Sequence, residues 1–219
     1  MAHGSVEKRN TCRAKTIAGG PVRVVVVARR LGPMTGVAWA QELARRHLAD
    51  ALPRRWAHVH AVAARASRVA EVVPDERDLV ISAAWLHDLG YAPELVDSGF
   101  HPLDGARYLN RLGADDRLCR LVAHHSAAAV EADERGLAGE LCKEFPQEHS
   151  AAADALWYAD LTTGPGGEPM TVEDRLAEIV ERYGPGHVVS SSVERARPEL
   201  LAAVRRTQER LAEVAVQST

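Results

Sequence analysis

The chain has 219 residues, 46% of them hydrophobic and 26% charged, with a formal net charge of −3. That is enough chain to bury a sizeable core in one domain of ordinary to large size, and too little net charge for a general attraction to nucleic acid or a membrane surface. Three cysteines, Cys12, Cys119 and Cys142, form no Cys-x-x-Cys pair and make an odd count, which argues against a disulfide scaffold and for a reducing, cytoplasmic setting.

Residues 1–33 differ from the rest. Lys8, Arg9, Arg13, Lys15, Arg23, Arg29 and Arg30 face only Glu7, Gly19-Gly20-Pro21 and Gly32-Pro33 break the segment, and no apolar periodicity develops. The segment reads as a disordered or loosely attached basic arm. Its Val22–Ala28 run is short and interrupted by Arg23, so it makes no signal peptide, and no apolar run is long enough to span a bilayer.

From Val37 the pattern is helical throughout. The first helix is expected over Val37–Ala49. Pro53 then opens a helix from Arg54 to about Val72, with Val59, Val62, Ala63, Ala66 and Val69 at helical spacing. Pro74-Asp75 starts the next, which ends in His87-Asp88, with Gly90 as the left-handed residue that closes it. His101-Pro102 opens a helix stopped by Gly113, and Asp115-Asp116 opens one that runs into His124-His125. Further helices are expected over Ala138–Glu144, Ser150–Leu161, from the Thr171-x-x-Asp174 capping pattern to Tyr183, and from about Pro198 to Val214. Alternating strands and repeats are missing, so the expected fold is all-α: a single compact multi-helix domain over residues 34–219, with its motif core at about 50–165.

Candidate ligands for a metal come from five separate segments: His58, His87-Asp88, His101, His124-His125 and Asp160. Apolar neighbours flank His87-Asp88, and Asp160 follows Trp157 and Tyr158 in an apolar helix, where an uncompensated carboxylate would be costly. Imidazole and carboxylate without thiolate suit Fe, Mn, Zn, Co or Ni and leave positions open for water and a substrate oxygen. His60 lies off the apolar stripe, and His47, His149 and His187 read as solvated. Thr162 to Gly167 is glycine-rich but lacks the lysine of a P-loop, so it reads as a loop bordering the site.

The order His58, His87-Asp88, Asp160, with Arg55-x-x-His58-x-x-x-Val62-Ala63 around the first histidine, resembles the HD superfamily of metal-dependent phosphohydrolases. His101-Pro102-Leu103-Asp104-Gly105-Ala106 and His124-His125 resemble the additional histidine motifs of two-metal members, in which the doublet aspartate, here Asp88, bridges two ions. Ser126 and three alanines follow the double histidine, unlike the cyclic-dinucleotide phosphodiesterase branch, and the Glu-Asp signature of guanosine-tetraphosphate hydrolases is missing after His87-Asp88.

The resemblance implies hydrolysis of a phosphoester or phosphoanhydride, a nucleotide above all, by a metal-activated water. A divalent ion is expected at His58, His87, Asp88 and Asp160. Asp88, His124 and His125 are the catalytic candidates. His101, His124 and His125 are expected as phosphate contacts or a weaker second metal site, with His101 and His124 facing the cleft. Arg55, Arg107 and Arg120 are candidate phosphate contacts. Whether the activity is that of a monoesterase or a diesterase stays open. The partner is a small phosphorylated substrate, with no membrane and no nucleic acid expected. The rival reading is a non-catalytic helical module that keeps the metal as a structural pin or senses a nucleotide.

Overall fold

The computed structural model describes residues 36–217, so the basic arm read over 1–33 lies outside the described residues. Those residues form ten α-helices in the order α1 Val37–Leu48, α2 Pro53–Val69, α3 Arg77–Leu86, α4 His101–Arg111, α5 Asp116–Ala123, α6 Ala128–Glu134, α7 Ala138–Glu144, α8 Ala151–Leu161, α9 Val172–Tyr183 and α10 Val188–Gln217. Short 3₁₀ turns join several of them, and no β-strand occurs among the described residues. The fold is all-α. None of these helices is long and apolar enough to cross a membrane.

The centre is built from α2, α3 and α8, which pack on one another. In α3 every residue from Val80 to Leu86 is buried, and in α8 nearly every residue is, so both are wrapped on all sides by other helices. Helix α2 instead has a single buried stripe of His58, Val59, Val62, Ala63, Ala66 and Val69. The alanines of α8 let backbones approach closely, and Ser150 caps its first turn by accepting from the Ala153 amide. Asp115 does the same for α5, accepting from the Arg117 and Leu118 amides. Helix α10 lies against α8, α9 and α6. Asp154 of α8 fastens it there by accepting from both Arg206 and Arg210.

Three elements differ from the sequence expectation. Helix α10 begins at Val188, ten residues before Pro198, and carries that proline in its interior. A proline suits a first helical turn, which is why the sequence points to a start there. Ser192 and Ala196 are buried on the face that continues through Leu200, Ala203, Val204 and Thr207, and this packing outweighs the lost donor. Helix α6 has no sequence counterpart, because its Ala-Ala-Val-Glu-Ala-Asp-Glu run has too short an apolar stripe to register. Gly90 is the third: its φ is not positive, and it sits inside the 3₁₀ turn Leu89–Tyr91 instead of closing α3. It is required for proximity, because a side chain there would overlap the His101 carbonyl oxygen and the Gly105 amide of α4.

Candidate metal centre

His58 projects from α2, His87 and Asp88 follow α3, His101 opens α4, His125 follows α5 and Asp160 lies near the end of α8. Their ligand atoms fall into two groups: His58, His87 and Asp160 in one, Asp88, His101 and His125 in the other, each with its atoms within 4.8 Å of one another. Asp88 joins the two. Its Oδ2 lies 3.4 Å from His87 Nε2 and 3.8 Å from His58 Nε2, and its Oδ1 lies 3.4 Å from His101 Nε2. Asp160 Oδ1 is 3.1 Å from His58 Nε2 and 3.9 Å from His87 Nε2.

Three of the imidazoles are pinned in the same way. His58 Nδ1 donates to the Gly164 carbonyl at 2.9 Å, His87 Nδ1 to that of Ala84 at 2.8 Å, and His125 Nδ1 to that of Val122 at 2.7 Å. A carbonyl oxygen can only accept, so each Nδ1 carries a hydrogen and each Nε2 is turned toward the centre. This is how the outer partners of metal-ligating histidines set the tautomer. His87 Nε2 is fully buried and has no hydrogen-bond partner. The glycine-rich loop after α8 thus does more than border the site, because Gly164 orients His58. His101 is held by stacking: its ring lies 3.9 Å from that of Tyr91, which is itself covered by the Arg55 guanidinium at 4.0 Å.

Electrostatics show what this centre lacks. Burial disfavours an imidazolium at His87, yet the carboxylates of Asp88 and Asp160 outweigh it and lift its pKa to about 9. Burial likewise works against the Asp88 charge, but Arg55 and His87 hold that carboxyl well below its usual range. Asp160 is held low too, against burial, by His58 and His87. His125 goes the other way: burial, reinforced by His101 and His87, depresses it to about 3, so its Nε2 stays a lone pair. The proton that two buried carboxylates hold on His87 marks the place where a cation is wanted. Two buried carboxylates and four converging imidazoles, without thiolate, fit a divalent first-row ion.

Several expectations are corrected. His124 does not face the cleft. Its Nε2 donates to the Phe145 carbonyl at 2.5 Å, it neither lines the cavity nor joins either ligand group, and burial lowers its pKa. His125 takes the place expected of His124. Adjacent helical residues diverge by about 100°, and α5 has ended just before them at Ala123: His124 has φ −117°, and Ser126 and Ala127 then adopt the left-handed region at φ 48° and 59°. Such strain in non-glycine residues is uncommon and gathers at functional sites. Here it swings His125 inward and lets Ser126 Oγ donate to Asp160 Oδ2 at 2.5 Å. The four expected ligands His58, His87, Asp88 and Asp160 lie together, and Asp88 also falls in a second group with His101 and His125. Arg107 is engaged by Glu140 and Glu144, outside the cavity, and Arg120 does not line it either. Arg55 does line it, and its Nη1 donates to Asp88 Oδ2 at 2.7 Å. His124→Ala is therefore expected to leave turnover and bound metal unchanged. It should cost about 1–2 kcal/mol of stability for the lost hydrogen bond and packing, read from denaturant midpoints.

Residues the sequence reading passed over are Tyr91, Ser126, Arg175 and Arg182, all of which line the cavity at the centre. A signal for Arg175 was present. It interrupts the α9 stripe of Val172, Leu176 and Ile179, a charged residue on a buried face.

The comparisons agree with this geometry. The family model for the HD domain matches residues 55–185, which include His58, His87, Asp88, His101, His125 and Asp160. Over 91 residues the chain is 33% identical to a tRNA (cytidine(56)-2'-O)-methyltransferase of Picrophilus torridus, a match covering 42% of this chain and 26% of that protein. The chain thus spans about a quarter of that relative's length. No solved structure gives a significant match. With the family model covering well over half of the chain, this protein belongs to the HD domain family.

Proposed function

We propose that the protein is a metal-dependent phosphohydrolase with two ion positions, one at His58, His87 and Asp160 and one at Asp88, His101 and His125, with Asp88 serving both. Residues 34–219 form the unit that carries this activity, inside the reducing cell interior suggested by the free thiols of Cys119 and Cys142. The observation that carries the reading is His87 Nε2, buried without a hydrogen-bond partner between the carboxylates of Asp88 and Asp160.

Divalent ions bound here would polarise a water and draw charge off a phosphoryl oxygen. The rest is the work of the chain. The main-chain carbonyls of Gly164, Ala84 and Val122 hold three imidazoles in one tautomer. Ser126 occupies Asp160 Oδ2 and so directs Oδ1 to the centre. Arg55 offsets the Asp88 charge and, through Tyr91, braces His101. Asp88 and Asp160 stay ionised and can accept hydrogen bonds from the attacking water. The substrate is a small phosphorylated molecule, with nucleotides first among the classes to try. The relative is named for tRNA, which makes tRNA a second class for the same panel.

The test is chelation and reloading. Protein stripped of metal is expected to lose hydrolysis of p-nitrophenyl phosphate, and Mn²⁺, Fe²⁺ or Zn²⁺ should restore it. A panel of nucleotides, other phosphorylated metabolites and tRNA then names the substrate. Tight nucleotide binding without turnover in the reloaded protein would favour the sensing module instead.

A further inference from the structure

Beyond the metal ligands, one wall of the cavity carries a group that nothing in the protein satisfies. Arg175 on α9 lines the cavity, yet it is only 4% exposed. Its Nη1 donates to Glu178 at 2.5 Å, but its Nε is buried without any hydrogen-bond partner. Glu178 also serves Arg182, 3.4 Å away, so one carboxylate answers two guanidinium groups on this wall. Arg55, across the cavity, is committed to Asp88. A buried charged donor left unmade is expensive, of the order of 1–3 kcal/mol or more, and persists where a ligand completes it.

Space narrows what that ligand is. The cavity holds about 100 Å³, roughly the liquid-volume share of three waters. That is room enough for a phosphoryl group beside the ligands. Beyond Arg55 and Arg182 lies a wider hollow of about 430 Å³, bordered by those same two arginines and by Leu52, Pro53, Arg54 and Pro165. A substrate with its phosphoryl group in the small cavity can extend past Arg55 and Arg182 into this hollow.

We infer that Arg175 grips the terminal phosphoryl group of the substrate, which is a phosphate monoester or terminal anhydride whose leaving group lies in the hollow beside Arg54 and Arg182. This rests on the phosphohydrolase reading above and goes on to name the substrate class and a contact residue. The planar fork of a guanidinium matches phosphoryl oxygens, and the Nε of Arg175 makes no hydrogen bond within the protein. In the reaction a water oxygen bonds to phosphorus and the bond from phosphorus to the leaving oxygen breaks. One water proton goes to the leaving oxygen, and the products are the alcohol, or the shortened phosphate, and inorganic phosphate. Arg175 meets the charge on the transferred group throughout.

The experiment uses the full chain, loaded with Mn²⁺, with inorganic phosphate as the calorimetric probe and the p-nitrophenyl mono- and diesters as substrates. Arg175→Met is expected to weaken phosphate binding about 10- to 100-fold with the ion count unchanged. Arg175→Lys, which keeps the charge but not the fork, should lose about tenfold. Glu178→Gln should retain phosphate binding, which an arginine held only for its ion pair would not explain. The wild type should prefer the monoester. If Arg175→Met fails to fold, Arg175→Lys decides alone. Phosphate binding within about twofold of wild type in the folded Arg175 variants overturns the inference, as does preference for the diester. Wild-type protein that takes up no ion would instead overturn the phosphohydrolase reading itself. Ions bound and turnover intact, with unchanged Arg175 variants, would overturn only the role of Arg175.

Discussion

Asp88→Ala, in protein supplied with excess metal, is expected to lower turnover of p-nitrophenyl phosphate by about 10³-fold or more, since ion polarisation supplies several kcal/mol and each 1.4 kcal/mol is a factor of ten. Asp88 alone touches both ligand groups, through Oδ2 toward His58 and His87 and through Oδ1 toward His101. Its removal leaves His101 and His125 facing each other at 3.1 Å with no carboxylate between them and an ion. Arg55 loses its partner but keeps its seat on Tyr91, so the fold should survive at moderate temperature. Asp88→Asn keeps the shape without the charge and should be nearly as inactive, separating the ligand role from packing. Turnover unchanged in either variant would remove Asp88 from the chemistry.

Gly90→Ala is expected to be the most destabilising single methyl in the described domain, at about 3 kcal/mol, a large share of the 5–15 kcal/mol that holds a typical domain together. The added Cβ would overlap the His101 carbonyl oxygen and come within 2.6 Å of the Gly105 amide nitrogen, both of them backbone atoms that no rotamer change can move. Helix α4 would have to back away, taking His101 with it. Gly105→Ala, on the other side of the same contact, meets Gly90 at 3.1 Å and Val122 at 3.6 Å, and should cost about 1 kcal/mol. Denaturant midpoints check the order. Equal costs, or a Gly90→Ala protein as stable as wild type, would show that this approach is looser than described.

What was legible in the sequence follows from where each signal resides. His58, His87, Asp88 and Asp160 stand out because an imidazole or carboxylate on an apolar helical face is visible in one dimension, and their order along the chain resembles one family. The helices with caps or prolines at their starts, such as α4, α5 and α8, fall close to expectation because their boundaries are local. The choice between His124 and His125 was not local. It turns on two left-handed residues, Ser126 and Ala127, that no composition rule favours, stabilised by a serine reaching an aspartate 34 positions away. Gly90 was noticed for the wrong reason, since its partner is a helix that begins eleven residues later. Pro198 misled because packing against α8 and α9 carries α10 through it. Arg175 hid in the capping region of α9, and its significance lies in the missing partner, which only three dimensions reveal.

The central claim is that two groups of ligands hold two ions that the chemistry requires. Titration calorimetry of the metal-free full chain with Mn²⁺, read alongside p-nitrophenyl phosphate turnover at each addition, tests it most directly. The account predicts two equivalents bound per chain, with turnover reaching its plateau only as the second site fills. Turnover at its plateau with a single equivalent bound, zero equivalents, or ions bound with turnover at the metal-free level throughout, would contradict it.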